Sequence, residues 1–240
     1  MRKRRYISDK RLPRGLAVIY EDDDILVADK PAGLLTMGTD AEKTRTAYYI
    51  LTDYVRKGYA KSRKRIFIVH RLDRETSGVV VFAKNEDAKL RLQGQWEDAE
   101  KKYIAVVYGR LTEKAGVITS YLAENRVYRV YSTTDARKGK LARTAYKVLK
   151  ETERFSLLEI GLLTGRKNQI RVHLAEKGHP VVGDRKYGKS NDAYKRLALH
   201  SKSISFKHPI SGRRLTFETE VPGYFKQLLT CGPACGTQRL

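Results

Sequence analysis

Residues 70–78 read HRLDRETSG, and the chemistry they could do turns on one carboxylate. From Arg56 to Arg74 the chain carries Arg56, Lys57, Lys61, Arg63, Lys64, Arg65, Arg71 and Arg74, and Asp73 is the only acid before Glu75. Neighbouring cations favour the charged form of a carboxylate, so Asp73 is expected to act as a nucleophile or an anchor, not as a general acid. Glu75 could pair with it as in glycoside hydrolysis, yet a two-residue step on a loop does not define the gap of about 5–10 Å which that chemistry needs. Taken alone, the segment is explained as well by a surface ion pair. A second group, Arg166, Gln169, Arg171 and His173, crowds the start of an expected helix just after a strand and a Thr-Gly turn. Helix N-termini offer unpaired N–H groups to anions, and arginine adds a two-pronged fork for phosphate or carboxylate.

Those side chains need elements to position them. LAVIY, EDDD and ILVAD read as strand, turn and strand, the acids supplying turn chemistry. Pro31 and Gly33 bend the chain after them. From Thr46, the apolar positions Ala47, Ile50, Leu51, Tyr54 and Val55 recur at helical spacing and Gly58 stands where the helix should stop. IFIVH and GVVVFAK predict strands, which makes HRLDRETS the loop between them. Asn85 is a natural N-cap for a helix carrying Ala88, Leu92, Trp96 and Ala99 on one face, where Trp96 is expected in the core instead of as a platform for stacked bases. YIAVVYG, GVITSYL, TAYKVLK and FSLLEIGLL predict further strands, several alternating with period two. LTGRKNQIRVHLAEKGHP closes a strand and opens a helix with Ile170, His173 and Leu174 on one stripe, ended by Gly178 and Pro180. ISFKHPISGRRLTFE predicts a hairpin turning at Pro209 to Gly212, and VPGYFKQLL a short closing helix. The fold class expected is α+β, a bent, mostly antiparallel mixed sheet flanked by helices.

Over 240 residues the chain has 49 Lys and Arg against 27 Asp and Glu, a net charge of +22 that is too widely spread to be one tail. Polyanions are the expected partners, nucleic acid first, because phosphate neutralisation releases counterions and gives affinity without sequence preference. An acidic membrane surface is the alternative; against it, no run of about 18 apolar residues is present and no lipidation box. The basic start, MRKRRYISDKR, is followed by no apolar stretch, so it does not read as a secretory signal and a cytoplasmic protein is expected. The two cysteines, Cys231 and Cys235, are spaced C-x3-C with no following histidine at metal spacing, and the five histidines are scattered, so no metal is expected. The organisation expected is a basic arm over 1–15, one domain over 16–228 and a tail over 229–240.

HRLDRETSGVVVFAK at 70–84 closely resembles the signature of the RluA-type family of pseudouridine synthases. DKPAGLLT at 29–36, KKYIAVVYG at 101–109 and TGRKNQIRVHLAEKGHPVVGDRKYG at 164–188 match in the same order, and LALHS with HPISG resembles the family's C-terminal segment. The resemblance implies that Asp73 is the nucleophile. It implies that Tyr103 stacks on the flipped base and assists proton removal, and that Arg171 pairs with the catalytic carboxylate. Arg71 would enter the RNA stack in place of the target uridine, and Arg166 would hold a phosphate or carbonyl oxygen. Arg74, Lys167 and Gln169 are grouped with them as RNA contacts, while Lys30 and Pro31 would shape the pocket.

In the family the uracil is detached from C1′, rotated and rejoined through C5, so neither cofactor nor metal is implied. One departure is Lys167-Asn168, where many relatives carry Thr-His or Ser-His; asparagine keeps hydrogen-bonding capacity without a titratable ring. A second concerns the S4-like RNA-binding domain of many relatives: only about 15 residues precede the first expected strand, below the ~50 of a small domain, so recognition is expected from the catalytic domain and the arm. The activity implied is isomerisation of uridine in structured RNA, rRNA of the large-subunit type being favoured over tRNA, by a monomer. Two rivals stand beside it: a non-catalytic RNA-binding or assembly factor on the same fold, and a basic hydrolase using Asp73.

Overall fold

Short stretches of alternating or β-branched residues, punctuated by acids, asparagine and glycine, set the order of elements. The computed structural model describes residues 12–38, 42–59, 61–188 and 193–230, so most of the basic arm and the Cys231 and Cys235 tail lie outside the described residues. Strands β1 (Ala17–Glu21) and β2 (Ile25–Lys30) form the expected hairpin, whose turn is made by Asp22: its Oδ1 accepts from the backbone N–H of Asp24 and Ile25 at 2.9 and 2.8 Å. Helix α1 (Ala47–Arg56) starts at Thr46, whose hydroxyl accepts from Tyr49 N, and stops where Lys57 and Gly58 take φ of +55° and +73°. Strands β3 (Phe67–Ile68) and β4 (Ser77–Ala83) follow, then α2 (Glu86–Gly94), capped by Asn85 as its sequence predicts. Next come β5 (Glu100–Tyr108), β6 (Ala115–Glu124), β7 (Val130–Thr133), β8 (Lys140–Glu151) and β9 (Phe155–Leu162). Helix α3 (Gln169–Glu176), the hairpin of β10 (Leu199–Lys207) with β11 (Arg214–Glu218), and α4 (Gly223–Thr230) complete the chain.

Two units emerge. The first comprises Met1–Glu100 and Ser201–Thr219. In it β1, β2, β4 and β10 lie side by side, with β3 added to β4 and β11 to β10. Strand β2 runs antiparallel to β4 from Ile25 opposite Ala83 to Lys30 opposite Gly78. All seven residues of β4 are buried, as a central strand covered on both faces must be. Its core gathers Ile25, Val27, Val79, Val81, Ile204 and Phe206, covered by Ala88 and Leu92 of α2.

The second unit comprises Lys101–His200 and Glu220–Leu240, and its strands run in the order β5, β9, β8, β6, β7, each neighbour antiparallel. Along β8, Ala142, Thr144 and Tyr146 are buried while their neighbours are not, the period of a half-covered sheet. Leu122, Val130, Ala142, Val172 and Tyr187 cluster between α3 and these strands. The α+β class with mostly antiparallel pairing is the one the sequence predicts.

Three local readings change. IFIVH supplies only the two-residue β3. The helix expected to carry Trp96 and Ala99 ends at Gly94, because a turn in which Asp98 N donates to Gln95 O replaces the next helical step. Trp96, partly buried, nonetheless packs against the core, its ring stacked on His70 at 4.5 Å and tilted against Phe206 at 6.0 Å. Strand β7 carries no signal long enough to be read; it follows a tight turn at Asn125–Arg129.

Candidate functional site

Asp73 sits in the loop between β3 and β4, and the first unit fixes that loop at several points. Lys30, at the end of β2, has no exposed surface. Its Nζ donates to the carbonyls of Pro31 at 3.0 Å, Leu34 at 2.7 Å and Arg74 at 3.1 Å, and Gly33 N also donates to Arg74 O at 2.9 Å. One residue before Asp73, Leu72 is clasped by Thr36, whose hydroxyl donates to Leu72 O at 2.8 Å and accepts from Leu72 N at 3.1 Å. Thr76 N closes the turn on Asp73 O at 3.2 Å. At the loop's start His70 stacks on Trp96 and accepts from Val81 N at 3.1 Å. The half-buried Asp73 is therefore carried on a backbone that is held on both sides, which is what a preorganised reactive group needs. DKPAGLLT and HRLD, distant in sequence, are one structural device.

Burial pushes the Lys30 ammonium down to a pKa of about 7, and the charges of Glu75, Asp73 and Asp29 pull the other way. Arg71 is exposed. Arg74 is committed at the surface to Glu42, 2.5 Å away, so its guanidinium has a protein partner that the sequence reading did not foresee.

Tyr103 and the second group belong to the other unit. Tyr103 lies on β5, 6% exposed, opposite Ile160 of β9. Ahead of α3, Asn168 takes a left-handed φ of +53° and makes no side-chain cap; its Oδ1 instead accepts from the Tyr187 hydroxyl at 3.2 Å. Gln169 has a structural use. It is 2% exposed, its Oε1 accepts from Thr164 Oγ1 and Arg166 N, and its Nε2 donates to Arg143 O and Thr144 Oγ1, all at 2.8–3.0 Å. An amide with both lone pairs and both protons used inside the fold locks the turn. His173 is likewise buried, between the hydroxyls of Thr144 and Ser120 at 2.9 Å each. Burial lowers its pKa, and Glu176 opposes that. Arg166 is half-buried, its Nε donating to Leu141 O, and Lys167 is exposed and bonded to Glu124.

Arg171 grips Asp184 with two prongs, Nε to Oδ2 at 2.7 Å and Nη2 to Oδ1 at 2.8 Å. Burial of Asp184 would raise its pKa, but Arg171 and the backbone N–H groups of Tyr187 and Lys186 outweigh it and hold the carboxyl below its ordinary value. Within its own unit, then, Arg171 takes its carboxylate from Asp184, the acid of GDRKYG. Nothing local marks that acid except its place after Gly183. The guanidinium also lies over the Tyr187 ring at 5.2 Å.

Among the described residues, metal-type ligands gather at Asp22, Asp24 and His208, within 4.8 Å of one another. Their atoms are already engaged: Asp22 Oδ2 accepts from Tyr20 and His208, His208 Nδ1 accepts from Ile210 N and Ser211 N, and Asp24 Oδ1 accepts from Asn85. The group ties turns together.

Residues 24–176 match the family model described as RNA pseudouridylate synthase. A protein of Nitrosomonas europaea named ribosomal large subunit pseudouridine synthase D is 36% identical over 225 residues, 89% of this chain and 64% of its own length. An Aquifex aeolicus protein named an uncharacterized RNA pseudouridine synthase is 38% identical, over 88% of this chain and 71% of its own. This chain thus spans about two thirds of the length of those relatives. Among solved structures, human RNA pseudouridylate synthase domain containing 4 superposes with a TM-score of 0.73 at 24% identity, covering 87% of this chain and 90% of that one, a likeness of fold.

Proposed function

The chain belongs to the family of RNA pseudouridylate synthases, and from that membership we propose that it isomerises specific uridines of structured RNA to pseudouridine. Large-subunit rRNA is the favoured substrate over tRNA, in line with the ribosomal names of relatives from Nitrosomonas europaea and Rickettsia typhi. The observation that carries the reading is the loop of Asp73: a half-buried carboxylate whose backbone is pinned by a fully buried lysine and by a threonine clasp. Covalent catalysis by a carboxylate splits one hard substitution into two easier ones. Asp73 serves as the nucleophile and is released at the end; the bond from C1′ to N1 of the uracil breaks, the base turns, a bond from C1′ to C5 forms as the C5 proton leaves, and N1 ends with a proton in place of the sugar. Mass is conserved.

Tyr103 and Arg171 are the further catalytic residues, in the roles the motif resemblance implies, stacking and proton removal for the tyrosine and pairing with the catalytic carboxylate for the arginine. Asp184 is a positioning residue, since a guanidinium gripped through Nε and Nη2 keeps one orientation. Arg71, Arg74, Arg166 and Lys167 supply cations to the RNA. The test is a transcriptome-wide chemical map of pseudouridine with and without this gene. Loss at defined positions, restored by the wild type and not by Asp73→Ala, is the expected result. An unchanged map, or rescue by Asp73→Ala, would overturn the reading and favour a non-catalytic RNA-binding factor.

A further inference from the structure

The turn joining β6 to β7 holds a tyrosine where the backbone favours glycine or asparagine. Tyr128 has φ of +58°, a left-handed conformation that costs an ordinary side chain free energy and persists only where something retains it. Packing does not retain it, since Tyr128 is 71% exposed, beside Val127 at 76%. The turn itself is stiff. Asn125 Oδ1 accepts from Val127 N at 3.1 Å and Arg129 N at 2.8 Å, Asn125 N donates to Arg129 O at 2.9 Å, and Tyr128 N donates to Asn125 O at 3.0 Å. An exposed ring on a rigid, strained tip is an unusual investment.

Cations surround that tip. Lys167 Nζ lies 5.5 Å from the centre of the Tyr128 ring, and Lys186 Nζ donates to Tyr128 O at 2.6 Å. Arg126 and Arg129 flank it in sequence, both exposed, while Glu124, bonded to Lys167, is the acid facing the group. The turn is also anchored to the residues around Arg171. Tyr187 accepts at its hydroxyl from Val130 N at 3.1 Å, and its ring carries Arg129 and Arg171 each at 5.2 Å. An aromatic face among phosphate-seeking cations is the chemistry that binds an unpaired nucleotide, the base on the ring and the backbone on the cations.

We propose that the Asn125–Arg129 turn is an RNA-docking element in which Tyr128 stacks on an unpaired base of the substrate RNA outside the target uridine. The proposal rests on the reading of the protein as an RNA-modifying enzyme and names a contact of that substrate. Charge selects RNA over a protein partner, since among the described residues Arg126, Arg129, Lys167 and Lys186 meet Glu124 at the tip, in a chain whose net charge is +22.

The test uses full-length protein and unmodified large-subunit rRNA and tRNA transcribed in vitro, with affinity measured against salt. Tyr128→Gly removes the ring while relieving the left-handed backbone, so its thermal midpoint should equal or exceed the wild type's while RNA affinity falls about 10-fold. Tyr128→Phe should bind within about twofold of wild type, because stacking needs the ring and not the hydroxyl. The slope of log affinity against log salt should be unchanged in both, as neither loses a cation. Wild-type affinity in Tyr128→Gly would overturn the proposal, and so would a lowered midpoint in Tyr128→Gly, which would make the ring a packing element. Failure of the enzymatic reading looks different: wild type and Tyr128→Gly would then differ in affinity while no RNA gains pseudouridine. Binding of neither RNA by the wild type would sink both.

Discussion

Lys30 shows how a single buried charge can set a loop. Three carbonyl oxygens, those of Pro31, Leu34 and Arg74, converge on its Nζ, and each would lose that bond in Lys30→Met, Arg74 O keeping the one from Gly33 N. Removing the donor from buried acceptors costs more than the bond itself contributes, so the variant should be less stable by about 2–4 kcal/mol in urea unfolding at neutral pH. The same change leaves Arg74 O, one residue beyond Asp73, with the bond from Gly33 N but without the lysine, and a misplacement of about 1 Å in a reacting group can cost 100-fold in rate. Single-turnover pseudouridine formation on RNA from a deletion strain should fall by about that factor; an unaltered rate would mean that the clasp does not position Asp73. At this scale the sequence was informative where a residue type is rare in its setting. Asp73 among cations stood out, and so did the arginine-rich start of α3. The locking of Gln169 and the pairing of Asp184 did not, because whether an amide or an acid is exposed or locked depends on Thr164, Arg143 and Tyr187, which no local pattern brings together.

The elements that hold these residues depend on close backbone approach. Gly78 begins the buried strand β4 with φ of +110°, and a Cβ added there would lie 2.1 Å from Ser201 O and 2.8 Å from Ser201 N. Both obstacles are backbone, so a rotamer change cannot relieve them. Gly78→Ala should therefore cost about 3 kcal/mol or more, read as a lowered urea midpoint, whereas alanine at Gly94, with nothing within 4 Å, should cost nothing and add helix propensity.

Helix α3 makes a second prediction, of pH dependence. His173 has its pKa lowered by burial, with Glu176 opposing. In the window just below pH 6.5 the unfolded chain thus binds the proton that the folded one resists. Stability from this group is full above 6.5 and is lost as pH falls through the folded-state value. His173→Gln should flatten the decline in unfolding free energy between about pH 6.5 and 5 relative to wild type; an equally steep decline would assign it to other groups.

Periodicity and caps made α1, the start of α2 and the β1–β2 hairpin legible, since Thr46, Asn85 and Asp22 do locally what their side chains do in any protein. It failed at the end of α2, where apolar spacing ran on through Trp96 after the hydrogen bonding had already turned, and at β7, where four residues are too few to show a period.

At the scale of the whole molecule, charge was legible and partition was not. The first unit is closed by residues 201–219, which return a hundred residues after Glu100; a discontinuous unit leaves no composition shift or linker to read. The surplus of +22, by contrast, needs no structure to have a consequence. An interface dominated by phosphates loses affinity as counterions become plentiful, by about 1,000-fold between 50 and 200 mM salt if some six phosphates are neutralised. Asp73 contributes one negative charge to that balance and no phosphate contact. Asp73→Ala should therefore bind substrate RNA within about twofold of wild type at every salt concentration, with the same slope, while forming no pseudouridine. Filter binding and a chemical readout on the same samples separate the two properties. Should the variant lose affinity in step with activity, Asp73 would be holding the loop or the RNA and not acting as the nucleophile. If it keeps both, the nucleophile lies elsewhere in the molecule. Only binding without turnover fits a carboxylate that the field of the whole protein surrounds with RNA and that the loop alone makes reactive.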